Sequence, residues 1–239
     1  MSRTARTEAR APVVHLRPAV LGAVVLIGLA TAFGLTRALA QSAEGYDDAL
    51  RAFDTRTGRA LTSIDLSPVQ PIFTNDLTFG PDGDIYITDT GFRGKADGTL
   101  EHTGPDRMYR IGRDRRVTVA LDTSALNAPD GIDWDAKGKR MVLAPIGGPA
   151  LQIWNLGQPA PVDLKPGPGR FDGIEVEQDG NAYITSWADS SISVLRGTEL
   201  VRFIGPLDAP PADVSVDARH GRIGVVFLTA NRFELWTLR

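Results

Sequence analysis

Cysteine is absent from the 239 residues. Disulfides, thiolate metal sites and cysteine nucleophiles are therefore excluded. Histidine is scarce: His15, His102 and His220 are the three in the chain. The first lies in the N-terminal segment, the second in an insertion and the third in a hairpin turn, so the three make no His-rich zinc site. No Gly-x-Ser-x-Gly stretch occurs, and no histidine is placed to serve a serine nucleophile. Positive charge is not in excess either. The formal net charge is −3, so the basic footprint of a nucleic-acid-binding protein is missing. What remains is 42% hydrophobic and 23% charged residues, the balance of a folded globular chain. Gly 25 and Pro 16 call for many turns and for no long helix.

The first forty residues differ from the rest. Arg3, Arg6, Arg10 and Arg17 precede an uncharged apolar run of 19 residues from Pro18 to Thr36. Ala38-Leu39-Ala40 follows, then Gln41. A basic head, an apolar stretch and a small-x-small end make a secretory signal. The run exceeds the usual h-region of about 7–15 residues. It approaches the roughly 20 that span a bilayer, so an uncleaved anchor through residues 18–36 is the alternative. Both readings keep the arginines inside. Residues 41–239 are then expected outside the cytoplasm, periplasmic or secreted.

Beyond that segment the chain repeats. Asn75-Asp76-Leu77-Thr78-Phe79, Asp130-Gly131-Ile132-Asp133-Trp134, Asp172-Gly173-Ile174-Glu175-Val176 and Ala212-Asp213-Val214-Ser215-Val216 line up, with spacings of 55, 42 and 40. A period near 40 fits one four-stranded propeller blade. Each unit reads as an apolar stretch, a turn such as Asp82-Gly83 or Asp179-Gly180, and a second apolar stretch such as Ile85–Thr88 or Ala182–Thr185. Two further strand candidates complete a unit, as in Met108–Ile111 with Val117–Leu121. The extra length of the first interval sits at Gly91–Arg107, a polar, Gly-rich insertion expected as a surface loop. Residues 49–66 supply two more strands and residues 211–239 three. The expected fold class is all-β, a propeller with about four to five blades.

At these repeats the chain resembles the senescence-marker-protein/gluconolactonase/luciferin-regenerating-enzyme family. The pieces that carry the resemblance are Asn75-Asp76-Leu77 leading to Asp82-Gly83-Asp84-Ile85-Tyr86, Pro129-Asp130-Gly131-Ile132-Asp133-Trp134, Asp172-Gly173-Ile174-Glu175-Val176 and Ser186-Trp187-Ala188-Asp189. It covers roughly residues 49–239. The resemblance implies a six-bladed propeller with a central divalent metal and an enzyme that hydrolyses lactones and related esters. It also implies that an N-terminal portion with a glutamate metal ligand has no counterpart here.

Geometry points to the same face independently. Residues just before the innermost strand and just after the second strand meet at one mouth of the central channel. The first set is Asn75, Asp130, Asp172 and Ala212; the second includes Asp89, Pro145, Trp187, Asp189 and Asn231. Carboxylate and amide oxygens from successive blades suit a hard cation, Ca²⁺ first, with Zn²⁺, Mg²⁺ or Mn²⁺ as alternatives. By resemblance, Asp172 matches the family's aspartate ligand, Asp130 stands where many members have an asparagine ligand, and Asn75 matches an asparagine of the substrate site. The expected assignment is Asp172 as metal ligand and catalytic base, Asp130 as metal ligand, and Asn75, Asp89, Trp187 and His102 around the substrate. His102 lies in the insertion on the mouth face, where it could serve as a lid-borne proton donor. Two functions follow: an exported, metal-dependent hydrolase of small lactones or esters, or a non-catalytic propeller that binds a small ligand or a protein partner. A truncated relative that does neither is the third. Membrane contact is expected only through an uncleaved N-terminal segment.

Overall fold

The computed structural model describes residues 14–15, 48–95 and 99–238. The expected signal, residues 1–40, lies outside them except for the backbone of Val14 and His15. No helix among the described residues is long and apolar enough to cross a membrane.

The elements are β-strands joined by turns and single 3-10 turns. Strand β1 (Val14–His15) is separate in sequence from the rest. Strands β2 (Ala49–Phe53) and β3 (Ala60–Asp65) pair as a two-stranded sheet. The first four-stranded blade is β4 (Thr74–Phe79), β5 (Ile85–Asp89), β8 (Arg107–Ile111) and β9 (Val117–Asp122). Between its second and third strands stands a hairpin of β6 (Phe92–Gly94) and β7 (Leu100–His102). The second blade is β10 (Pro129–Asp135), β11 (Arg140–Pro145), β12 (Ala150–Trp154) and β13 (Val162–Pro166). The third is β14 (Phe171–Val176), β15 (Ala182–Ser186), β16 (Ser191–Arg196) and β17 (Glu199–Ile204). The fourth is β18 (Asp213–Asp217), β19 (Arg222–Phe227) and β20 (Arg232–Thr237), with β1 paired antiparallel on its outer edge.

This is the all-β propeller that the repeats predict. All but β1, β6 and β7 are strands expected from the sequence. The insertion differs from the surface loop expected there. Phe92 packs edge-on against both Phe73 and His102, and that apolar footing turns the segment into a paired hairpin.

The two-residue period of a strand builds the ring. On β11, Met141 and Leu143 point back to the first blade, joining Tyr86, Met108 and Leu121. The alternate residues Val142 and Ala144 point forward, joining Phe171, Ile174, Ala182 and Ile184. On β15, Ala182 and Ile184 face the second blade while Tyr183 faces Val214, Ile223 and Val225 of the fourth. Ile87, Tyr109 and Ile111 likewise turn from the first blade to Leu50 and Leu66 beside β2 and β3. The first three blades are apolar on both faces, so each must be sandwiched between neighbours.

Polar clasps fix the angle of that sandwich. Asp133 touches three blades: its Oδ1 accepts from Thr78 Oγ1 (2.6 Å) and from Trp134 N–H (2.8 Å), and its Oδ2 from Val176 N–H (2.8 Å). Asp133→Ala removes this acceptor and leaves buried donors unpaired. We expect a loss of about 2–4 kcal/mol in urea unfolding, with the β-sheet circular dichroism of the folded state unchanged.

Candidate active site

The innermost strands β4, β10 and β14 begin in the same irregular way. Their registers shift between Thr74 and Leu77, between Pro129 and Gly131, and between Phe171 and Ile174. A β-bulge adds an unpaired residue and re-aims its side chain. Asn75, Asp130 and Asp172 are the residues so placed, one in each of three successive blades. The fourth blade has no such shift, because β18 pairs with β19 in continuous register from Asp213. Ala212, before it, brings no side-chain oxygen.

Charge locates these side chains. Burial is the main cause that pushes the Asp130 carboxyl well above the usual range, followed by the negative charges of Asp76 and Asp213. Asp130, on the second blade, is thus within electrostatic reach of acids on the first and the fourth. Asp172 is also pushed well above its ordinary value, by burial first and then by Asp130 and Asp213, with a smaller push from Asp76. Asp130 is only 3% exposed. Asp172 is half-buried.

At this mouth the buried Asp130 Oδ1 has no hydrogen-bond partner. The Asn75 amide favours the charged form of Asp130, and the Trp187 indole that of Asp172. Buried polar groups without partners are rare, and a carboxylate oxygen orphaned at this mouth marks room for a ligand. Among the described residues, no group of three or more His, Asp or Glu side chains is arranged to hold a metal ion by itself. A cation here would need the Asn75 amide oxygen beside Asp130 and Asp172.

The remaining expected residues are engaged elsewhere. Asp89 is fully buried, and its carboxylate accepts from Ile72, Phe73 and Gly91 N–H and from the Tyr109 hydroxyl, the last at 2.6 Å. It clasps the segment leading into β4 to the first blade. His102 Nε2 lies 2.6 Å from Asp106 Oδ1, while Asp106 Oδ2 accepts from Ala128 N–H. That pair pins the β6–β7 hairpin to the segment that leads into β10. Asp189 is held by Ser191 and Arg202.

The structure adds residues that the motif reading passed over. Asp76 is buried beside Asn75, with Oδ1 accepting from Leu77 N–H and Oδ2 from Ile132 N–H of the next blade. Gly131 and Gly173 allow the inner strands to meet: a Cβ at Gly131 would stand 2.2 Å from the Asp172 carbonyl, and one at Gly173 2.2 Å from Asp213 Oδ1. A charged groove of about 710 Å³ lies at the opposite end of the first blade, where Asp84, Arg110, Arg113 and Arg116 line the β4–β5 and β8–β9 turns. Its strands run away from the mouth, and Asp84 is ion-paired to Arg110.

The SMP-30/Gluconolactonase/LRE-like sequence profile matches residues 9–204. The chain belongs to this family. Its fold is similar to that of a gluconolactonase from Xanthomonas campestris, with a TM-score of 0.66 and 19% identity over 85% of this chain and 69% of that one. A luciferin-regenerating enzyme gives a TM-score of 0.62 at 14% identity, over 88% of this chain and 75% of that one. The propeller of a nidogen/laminin complex gives 0.65 at 16% identity, over 80% and 71%. No curated protein matches at a significant level. Family membership supports a lactonase-type hydrolase.

The acid pair makes stability depend on pH. Both carboxyls hold their protons more tightly folded than unfolded, so the native state binds more protons and stability falls as pH rises above the unfolded value near 4. Asp130→Asn removes one such group. With a chelator present, the variant should exceed the wild type by more than about 1 kcal/mol at pH 8 and show no advantage at pH 3. Urea midpoints at the two pH values measure this.

Proposed function

We propose that the protein hydrolyses lactones or related small esters at this mouth, with a hard divalent cation held by Asp130, Asp172 and the Asn75 amide oxygen. The observation that carries this reading is the buried, unpartnered Oδ1 of Asp130 on an axis lined by acids. The donor set fits such an ion. All three groups offer hard oxygens, the acids repel one another without a counter-charge, and Ca²⁺, Mg²⁺ or Mn²⁺ suits oxygen ligands better than Zn²⁺ does. When bound, the ion would polarise the substrate carbonyl and acidify a water.

The chain's own residues supply the rest. Asp172 is the base: its carboxylate stands beside the place of the ion, where it can take a proton from the attacking water. The Trp187 indole favours the charged form of Asp172, and its ring walls the mouth. The bulges hold Asn75 and Asp130 on neighbouring strands, so the two polar groups are set before substrate arrives. Asp89 and His102 enter this reading as supports of the first blade and its hairpin. We place the activity outside the cytoplasm, on the basic head, apolar run and Ala38-Leu39-Ala40 of the N-terminal segment.

A panel of lactones and esters, assayed on the purified chain after chelation and again after each divalent ion is restored, tests the reaction. Turnover is expected only with the ion. Asp172→Asn should lower kcat by about 100-fold or more, as loss of a general base does, with a cooperative thermal melt retained. Full turnover by the chelated protein or by Asp172→Asn would overturn the assignment. Fractionation of producing cells tests the location, and a cytoplasmic, full-length product would refute export.

A further inference from the structure

Two threonines on one strand hold the backbone around Asp130. Thr88 lies in β5 and Thr90 just past its end, and both are completely buried. Two residues apart, they share a face of the strand, the face turned to the second blade. The Thr90 hydroxyl donates to the Pro129 carbonyl at 2.9 Å, and the Thr88 hydroxyl donates to the Asp130 carbonyl at 2.6 Å. The carbonyls on either side of the Asp130 backbone nitrogen and Cα are thus both gripped from the first blade. Thr88 Oγ1 also accepts from Asp76 N–H at 3.0 Å, which ties the bulge of β4 to that of β10.

Thr90 sets Asn75 as well. A carbonyl can only accept, so the Thr90 proton is committed to Pro129. Its oxygen is then an acceptor for anything else. Asn75 must therefore present Nδ2 to Thr90, at 3.3 Å, and turn Oδ1 away from it. We propose that Thr90, with Thr88 as the second point of the grip, is the positioning residue that fixes the orientation of the Asn75 amide and the placing of Asp130. This rests on the reading of Asn75 and Asp130 as ligand-binding groups.

The neighbouring blades separate this role from a general folding role. Thr185 is the counterpart of Thr88 in the third blade: it accepts from Gly173 N–H and donates to the Ala212 carbonyl. That grip falls on a residue with no side-chain oxygen, so the first threonine serves the joint between blades wherever it occurs. The position two residues on, taken by Thr90 in the first blade, is Trp187 in the third. The second hydroxyl belongs to the joint that Asn75 and Asp130 straddle.

The test compares Thr90→Val, which keeps the shape and loses the hydroxyl, with Thr90→Ser, which keeps the hydroxyl. Thr118→Val is the control: Thr118 also donates to a carbonyl, that of Arg110, but on the outer strand of the same blade. Two readouts are taken on the full chain. One is the pair of Asn75 side-chain amide signals in a nitrogen-15 spectrum, identified by their loss in Asn75→Ala. The other is Ca²⁺ affinity by calorimetry. We expect Thr90→Val to shift the Asn75 signals toward those of a free amide and to weaken Ca²⁺ by about tenfold or more, as loss of a supporting hydrogen bond does. Thr90→Ser should restore both, and Thr118→Val should change neither. Native Asn75 signals in Thr90→Val would overturn the proposal. Native Ca²⁺ affinity in that variant, with the signals shifted, would overturn its bearing on the ligand. If the wild type binds no divalent ion, the metal reading fails while the amide signals still decide the grip. Thr90→Ala replaces Thr90→Val should the latter not fold.

Discussion

Neighbouring blades are fastened by buried side chains that reach into one another's innermost backbone. Asp76 takes the N–H of Ile132, Asp133 takes that of Val176, and Thr185 gives its proton to the carbonyl of Ala212. An innermost strand has a partner strand on one side only, so its other edge carries N–H and C=O groups that burial would leave unpaired. Short polar side chains on the previous or next blade supply the missing partners. The apolar faces of the blades give most of the driving force for association. The polar reaches give it direction, because only one relative placing of two blades satisfies them all. The candidate site stands where the innermost strands are bulged, and Asn75, Asp130 and Asp172 are among the residues released from pairing there.

That arrangement has an electrostatic cost. Four aspartates from four blades act on one another through their charges, and two of them are pushed toward their neutral forms by burial and by their neighbours. A fold selected for stability alone would replace such groups with apolar ones of similar size. The cost is borne where an unpartnered oxygen is useful, in line with the general finding that functional sites keep unfavourable electrostatics that the surrounding packing offsets.

Much of the fold was legible in the sequence because its signals are local. Asp-Gly turns, alternating apolar residues and a period near forty are read along the chain without knowledge of contacts. The strands from Leu50 to Leu238 were placed in this way. Asn75, Asp130 and Asp172 were also legible, as the residues that open successive repeats, and the bulged starts of β4, β10 and β14 place them together. The supports were not. Whether Asp76 or Asn75 faces the channel depends on a bulge, and one extra residue inverts the alternation on which a sequence reading relies. Asp89 follows a strand toward the mouth, as expected, yet its carboxylate meets four donors, three of them backbone groups that no residue pattern displays. His102 is fixed by Asp106, four residues on, a pairing that exists only because the insertion folds into a hairpin. Thr88 and Thr90 look like ordinary strand residues until the next blade is beside them.

Gly131 has a last consequence. With no side chain there, the backbone of β10 comes up against the carbonyl of Asp172, so the separation of the two site acids is a main-chain dimension. An aspartate has only two side-chain torsions and little reach with which to alter it. The bite offered to a guest is therefore gauged by the scaffold rather than by supple ligating arms. Such a gauge tolerates a change of charge at its jaws more readily than a change in the radius of what it grips. Drift in size preference among related chains would accordingly begin at the glycine, with the aspartates left as they are.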